Sequence, residues 1–256
     1  MIIVQTPLRM KLALLYLAAI TGAEVVTNLV SLLGGIICHL FIFVALIVHS
    51  SLNTDSPNYK LLLALCLVPL TRILSLSMPL AQFPLINRYV IIYTILFLAG
   101  WLTMRRINFT ARQIGLAVRR PYLQLAVGLS GVAFGIIEYL ILRPKPIVPE
   151  VTWGAVLLSI FIMIVGTGFV EEFIFRGIAQ QASIEVLGRW GIPYIAFIFA
   201  ILHLIHLSLI DIVFVFAVGL FFGWVVKKTG SLLGVTLSHG ITNALLYVII
   251  PLLYLS

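Results

Sequence analysis

Charge is scarce in this chain: only 9% of its 256 residues are Asp, Glu, Lys or Arg. Soluble domains carry about a quarter, so a water-exposed globular surface is excluded over most of the length. Cysteine is scarcer still. Cys38 and Cys66 are the only two, and both fall in apolar runs, which argues against a disulfide framework or a Cys-rich metal site and for small apolar packing residues. The chain shows no tandem repeat, no low-complexity tract and no HExxH helix, which removes solenoids, linkers and the commonest zinc-protease signature from consideration. No stretch is polar and long enough to fold as a separate soluble domain.

What remains is oil. Hydrophobic residues make up 62% of the chain and the mean hydropathy is +1.20. Apolar runs long enough to cross a bilayer core of about 30 Å recur near residues 12–31, 33–50, 61–82, 89–104, 123–142, 153–175, 191–207, 211–226 and 232–252. The fold class expected is therefore all-α: a polytopic transmembrane helical bundle of eight or nine spans. Gly34 and Gly35 separate the first two runs so narrowly that eight spans, or one re-entrant piece, is the alternative. The amino terminus, with Arg9 and Lys11 ahead of LALLYLAAITGA, has the parts of a signal peptide, but a retained first span explains the same residues.

The formal charge is +8, yet the Lys and Arg residues sit in short loops and not on one face of a soluble element, which reads as membrane orientation and not as nucleic-acid binding. Arg9, Lys11, Lys60, the five arginines from Arg105 to Arg120, Lys227 and Lys228 all fall on one side of a nine-span arrangement. The positive-inside rule makes that side, and the amino terminus, cytoplasmic. Residues 1–122 then hold the N-terminal helices and a basic cytoplasmic connector, and residues 123–256 a second helical core, in one integrated membrane protein. The amphipathic stretch INFTARQIGLAV in the connector suits either an anionic membrane surface or a solvated loop.

The stretch FVEEFIFRG, residues 169–177, interrupts an apolar run with three charges. Each costs about 2.5–3.5 kcal/mol at the centre of an inserted helix unless paired or wetted. Glu172 and Arg176 are four apart and share a helix face, so they are expected to pair. Glu171 is then left to address a cavity. Further on, FAILHLIHL carries His203 and His206, and HGITN puts His239 and Asn243 four apart on one face. His206, His39 and His49 read as interhelical hydrogen bonders. If the helix carrying Glu171 continues toward Leu187, then Glu171, His203 and His239 all sit about 12–24 Å below the cytoplasmic face, a depth that permits a common cavity.

In the order EEFIFR, FAILH, HGITN, these residues match the motifs EExxxR, FxxxH and HxxxN. The chain thereby resembles the CPBP family, the type II CAAX prenyl endopeptidases and Abi-like, bacteriocin-processing intramembrane proteases; the first 150 residues add only a general similarity in helical topology. The resemblance implies an intramembrane endopeptidase in which Glu171 activates water with help from His203, His239 and Asn243 stabilise the oxyanion, and Glu172 and Arg176 support the carboxylate. That agrees with the needs of amide hydrolysis: an activated water, a proton for the leaving amine and donors aimed at the developing negative oxygen. The cofactor stays open between none and a zinc ion held by Glu171, His203 and His239. Expected partners are the lipid membrane and a peptide or protein substrate, prenylated or otherwise membrane-associated, reached from the cytoplasm or laterally from the bilayer. The sequence selects neither a substrate within that class nor an oligomeric state. Two other readings use the same residues: a transporter or channel lined also by Glu24, Arg72 and Glu138, and a non-catalytic scaffold or immunity protein.

Overall fold

The computed structural model describes residues 5–77, 85–148 and 150–254. Among them there is helix and no strand: α1 (Gln5–Leu29), α2 (Leu32–Ser51), α3 (Tyr59–Leu65), α4 (Leu67–Ser77), α5 (Leu85–Arg106), α6 (Pro121–Leu142), α7 (Trp153–Ile162), α8 (Gln180–Leu187), α9 (Gly191–Ile201), α10 (Leu209–Thr229), α11 (Leu233–Ala244) and α12 (Ile250–Leu253). Three π-helical segments, Met163–Glu171, Phe173–Ala179 and Leu245–Ile249, adjoin α7, α8 and α12. Among the described residues, eight helices are long and apolar enough to cross a membrane. Large apolar side chains such as Leu33, Phe41, Leu102 and Trp153 lie exposed along them, as lipid-facing positions do. The chain is an integral, multi-pass membrane protein.

The boundaries follow local chemistry. Ser31 caps α2 by accepting from Gly34 N–H at 3.2 Å, and Thr152 caps α7 by accepting from Ala155 N–H; such hydroxyls satisfy donors that the first helical turn leaves orphaned. The break between the first two runs therefore falls at Val30–Ser31, not at the glycine pair. Gly35 lies inside α2 against Thr27 of α1, where any Cβ would overlap. The third run is interrupted at Cys66 because Pro69 cannot donate to the carbonyl four residues back; its predicted end, 78–82, lies outside the described residues. Consecutive α and π segments carry the chain from Trp153 to Leu187, and Gly188, at φ +60°, stops them. Ser183 Oγ donates to Gly191 carbonyl at 3.0 Å, so α8 and α9 form a tight hairpin within one continuous 54-residue apolar stretch. The connector is not a helix: it runs as turns from Ile107 to Arg120, with Ile107, Phe109 and Ile114 buried.

The helices fall into two compact units, and neither is one contiguous piece of chain. The first comprises Met1–Met78, Ala99–Phe109 and Ile178–Gly223. In it α2 packs on α1, α3 and α4, and α9 on α8 and α1. Arg72 grips Glu24 through Nε at 2.6 Å and Nη2 at 2.8 Å, with His39 Nε2 3.0 Å from the same carboxylate, all of it buried. His49 Nδ1 and the Tyr16 hydroxyl meet at 2.9 Å.

The second unit comprises Pro79–Leu98, Thr110–Gly177 and Trp224–Ser256, and α11 is its axis, packed on α6 and on the first π segment. Gln124 Oε1 accepts from Gly234 N–H at 2.7 Å, and Ser130 and Ser238 hydroxyls meet at 3.0 Å. Ile162, Met163, Ala244 and Val248 form the apolar core beside them.

Candidate functional site

Small residues set the site. A Cβ on Gly168 would lie 2.8 Å from Thr236 carbonyl oxygen and 2.9 Å from Gly240, and a Cβ on Gly240 would lie 2.7 Å from Ile164 Cα. With hydrogen at both positions the first π segment and α11 touch backbone to backbone, the close approach that small residues permit between membrane helices. On one side His239 precedes and Asn243 follows Gly240, on the other Thr167 precedes Gly168 and the two glutamates follow it, and the contact brings them together.

Glu172 is the hub. Its Oε1 accepts from Arg176 Nη1 at 2.9 Å and meets His239 Nδ1 at 2.8 Å. Its side chain is 0% exposed, and its Oε2 is buried without a hydrogen bond among the described residues. Glu171, the adjacent residue, is placed differently: its side chain is 20% exposed, and its Oε2 lies 3.9 Å from His239 Nε2. Its Oε1 accepts the Tyr93 hydroxyl at 2.5 Å. Asn243 Nδ2 donates to Thr167 Oγ1 at 2.9 Å, and that hydroxyl in turn donates to Met163 carbonyl. The expected i, i+4 pair of Glu172 and Arg176 is present, and His239 joins it from α11.

The wider π turns matter here. Such segments are rare, short and concentrated at functional sites, and two of them, Met163–Glu171 and Phe173–Ala179, enclose the glutamate pair. Beside them an apolar pocket of about 330 Å³ is lined by Tyr89, Tyr93 and Phe97 of α5 together with Phe161, Val165 and Phe169. Tyr93 thus belongs both to the pocket wall and to the Glu171 carboxylate.

His203 lies in the first unit, where a 3₁₀ turn, Leu202–His206, ends α9. Its Nδ1 is 3.1 Å from Asp211 Oδ2. An imidazole held at one nitrogen by a carboxylate has its tautomer and ring orientation fixed. Of the three zinc candidates, Glu171 and His239 therefore contribute two donor atoms, 3.9 Å apart, in the second unit, and His203 sits among other ligand-bearing side chains in the first. The charges that a transport pathway would have used, Glu24 and Arg72, bind each other.

Residues 152–245, which contain all three motifs, match the family model described as type II CAAX prenyl endopeptidase Rce1-like. That segment is similar to an Rce1-like domain. The match agrees with the family resemblance of EEFIFR, FAILH and HGITN, and it supports a CAAX-type intramembrane protease in general. It does not extend to the first 151 residues. Comparison with curated proteins and with solved structures gave no match.

Tyr93, Thr167 and Asp211 escaped the motif reading. Thr167 carried a usable signal, a hydroxyl four residues before Glu171 in an apolar run. Asp211 carried one too, as an acid at the start of a span eight residues after His203. Tyr93 carried none, because its helix holds no motif.

Proposed function

We propose that the Rce1-like domain hydrolyses a peptide bond of a membrane-associated substrate with Glu171 as the base. The observation that carries the reading is the contrast between the two neighbouring carboxylates: Glu172 is sealed between Arg176 and His239, whereas Glu171 is partly exposed beside the apolar pocket. In the reaction Glu171 takes a proton from water as the oxygen attacks the scissile carbonyl. The carbonyl π electrons move onto oxygen, the C–N bond breaks as they return, and the amine leaves with the proton from Glu171. Tyr93 holds the carboxylate by one oxygen and leaves the other to water. His239, with Nδ1 turned to Glu172, presents Nε2; donation from that nitrogen to the oxyanion requires the ring to carry both protons. Asn243 has a second amide N–H beyond the one spent on Thr167 and serves the same oxyanion. For His203 the resemblance alone implies a part in assisting the water. No step runs through a metal.

The pocket suits a substrate that brings an apolar group, a prenyl chain or a bulky side chain, next to the scissile bond; its volume falls in the usual range for small-molecule sites. The cytoplasm or the bilayer delivers it, and the amino terminus is cytoplasmic on the charge rule.

The test is a quenched-fluorophore peptide ending in a C-a-a-X sequence, with and without a farnesyl group, given to the protein in lipid nanodiscs. Glu171→Gln lowers turnover at least about 100-fold while size exclusion and helicity stay as in the wild type. Full activity in that variant sinks the assigned role.

A further inference from the structure

The first unit holds a second constellation of polar groups. The 3₁₀ turn Leu202–His206 places His203 and His206 on one edge, since residues three apart eclipse in that helix. Leu207, at φ +50°, then reverses the chain, and Ser208 Oγ accepts from Asp211 N–H at 3.2 Å, which fixes the first turn of α10. The reversal returns Asp211 to the two histidines. One ligand atom from each of the three residues lies within 4.8 Å of the others. Asp211 is 0% exposed; its Oδ2 faces His203 Nδ1, while its Oδ1 is buried with no hydrogen-bond partner among the described residues.

We infer that His203, His206 and Asp211 form a binding site for one divalent first-row transition metal, zinc by preference. Two imidazole nitrogens and one carboxylate oxygen are a donor set that zinc accepts, with a fourth position open to water. Ligand atoms about 2.0–2.1 Å from a tetrahedral ion stand about 3.3 Å apart, and the 3.1 Å between His203 Nδ1 and Asp211 Oδ2 already approaches that spacing. His206 is exposed, so the remaining closure is asked of a side chain at the surface. A buried carboxylate oxygen without a donor is costly to keep, and a bound cation satisfies it directly. The site shares only His203 with the proposed hydrolytic machinery. Its ligands all belong to the first unit, and it stands whether or not the peptidase reading does.

Cobalt(II) titration of the purified full chain, followed by visible d–d absorption and displaced with zinc, reads the site without any activity assay. Wild type takes up one equivalent, and its band has the intensity of a low-coordinate ion. His206→Ala, at an exposed position, weakens affinity at least about 100-fold, beyond the range seen when only the groups around a ligand are lost. Asp211→Asn does the same, while Glu171→Gln binds as tightly as wild type. An absence of stoichiometric uptake by wild type, an unchanged His206→Ala, or loss of the band in Glu171→Gln would each overturn the proposal, the last by moving the metal to the glutamate pair.

Discussion

Two carboxylates joined by one peptide bond have opposite fates, and the difference is chemical before it is functional. Glu172 receives Arg176 and His239 in a setting closed to water, so its charge is structural. Removing it as Glu172→Gln leaves the guanidinium buried without its carboxylate, and breaking a buried pair by deleting one partner costs about 3–5 kcal/mol. Thermal unfolding in detergent is expected to show that loss for Glu172→Gln and less than about 1 kcal/mol for Glu171→Gln, whose side chain is partly wetted and whose amide oxygen still accepts from Tyr93. Equal losses in the two variants would remove the distinction. The Glu172–Arg176 pair was legible in the sequence because helix geometry alone sets it. The His239 bond to Glu172 and the Tyr93 bond to Glu171 were not, since each depends on how separate helices pack, and the chain gives spacing only within one helix.

At the scale of elements, the apolar runs announced nearly every helix, because a bilayer leaves the backbone no other way to satisfy itself across its core. Their interiors were harder. Hydrophobic periodicity does not distinguish a π turn from an α turn in a stretch that is apolar all round, so the two segments enclosing the glutamates left no trace. The glycine pair that separates the first two apolar runs in the sequence, Gly34 and Gly35, lies inside α2. The same interior placement gives Gly168 and Gly240 their role as the contact that sets α11 against the first π segment. Gly240→Ala places a methyl group 2.7 Å from Ile164 Cα, backbone that cannot swing aside, and overpacking of that kind costs about 1–3 kcal/mol. The expected result is a lower unfolding temperature together with reduced peptide turnover, as His239 and Asn243 move away from Glu171. Gly154→Ala, with open space around the new methyl group, is the control: neutral, or stabilising by up to about 1 kcal/mol through helix propensity.

On the scale of the whole molecule, the residues before and after 122 each contribute to both compact units, and nothing in the order of the runs foretold which would pack together. The first unit is held partly by a buried ion pair that a sequence reader could have mistaken for a conduction path. Arg72→Met leaves the buried Glu24 carboxylate with only His39 and the Asn28 amide beside it and is expected to cost about 3–5 kcal/mol, whereas adding Glu24→Gln restores most of it, because a neutral pair avoids the desolvation of two ions. Thermal melts of the single and double variants measure the coupling; additive losses would mean that the two side chains act independently. The placement of the glutamates also restricts how such a protein could open. Successive residues on a helix point about a quarter turn apart, so rolling the Glu171 helix by a single step would drag the sealed Glu172 carboxylate toward the pocket and carry the partly exposed Glu171 away from it. Rotation about that axis would expose a buried charge, so on the proposed function tilting or sliding of neighbouring helices is the cheaper way to admit a substrate.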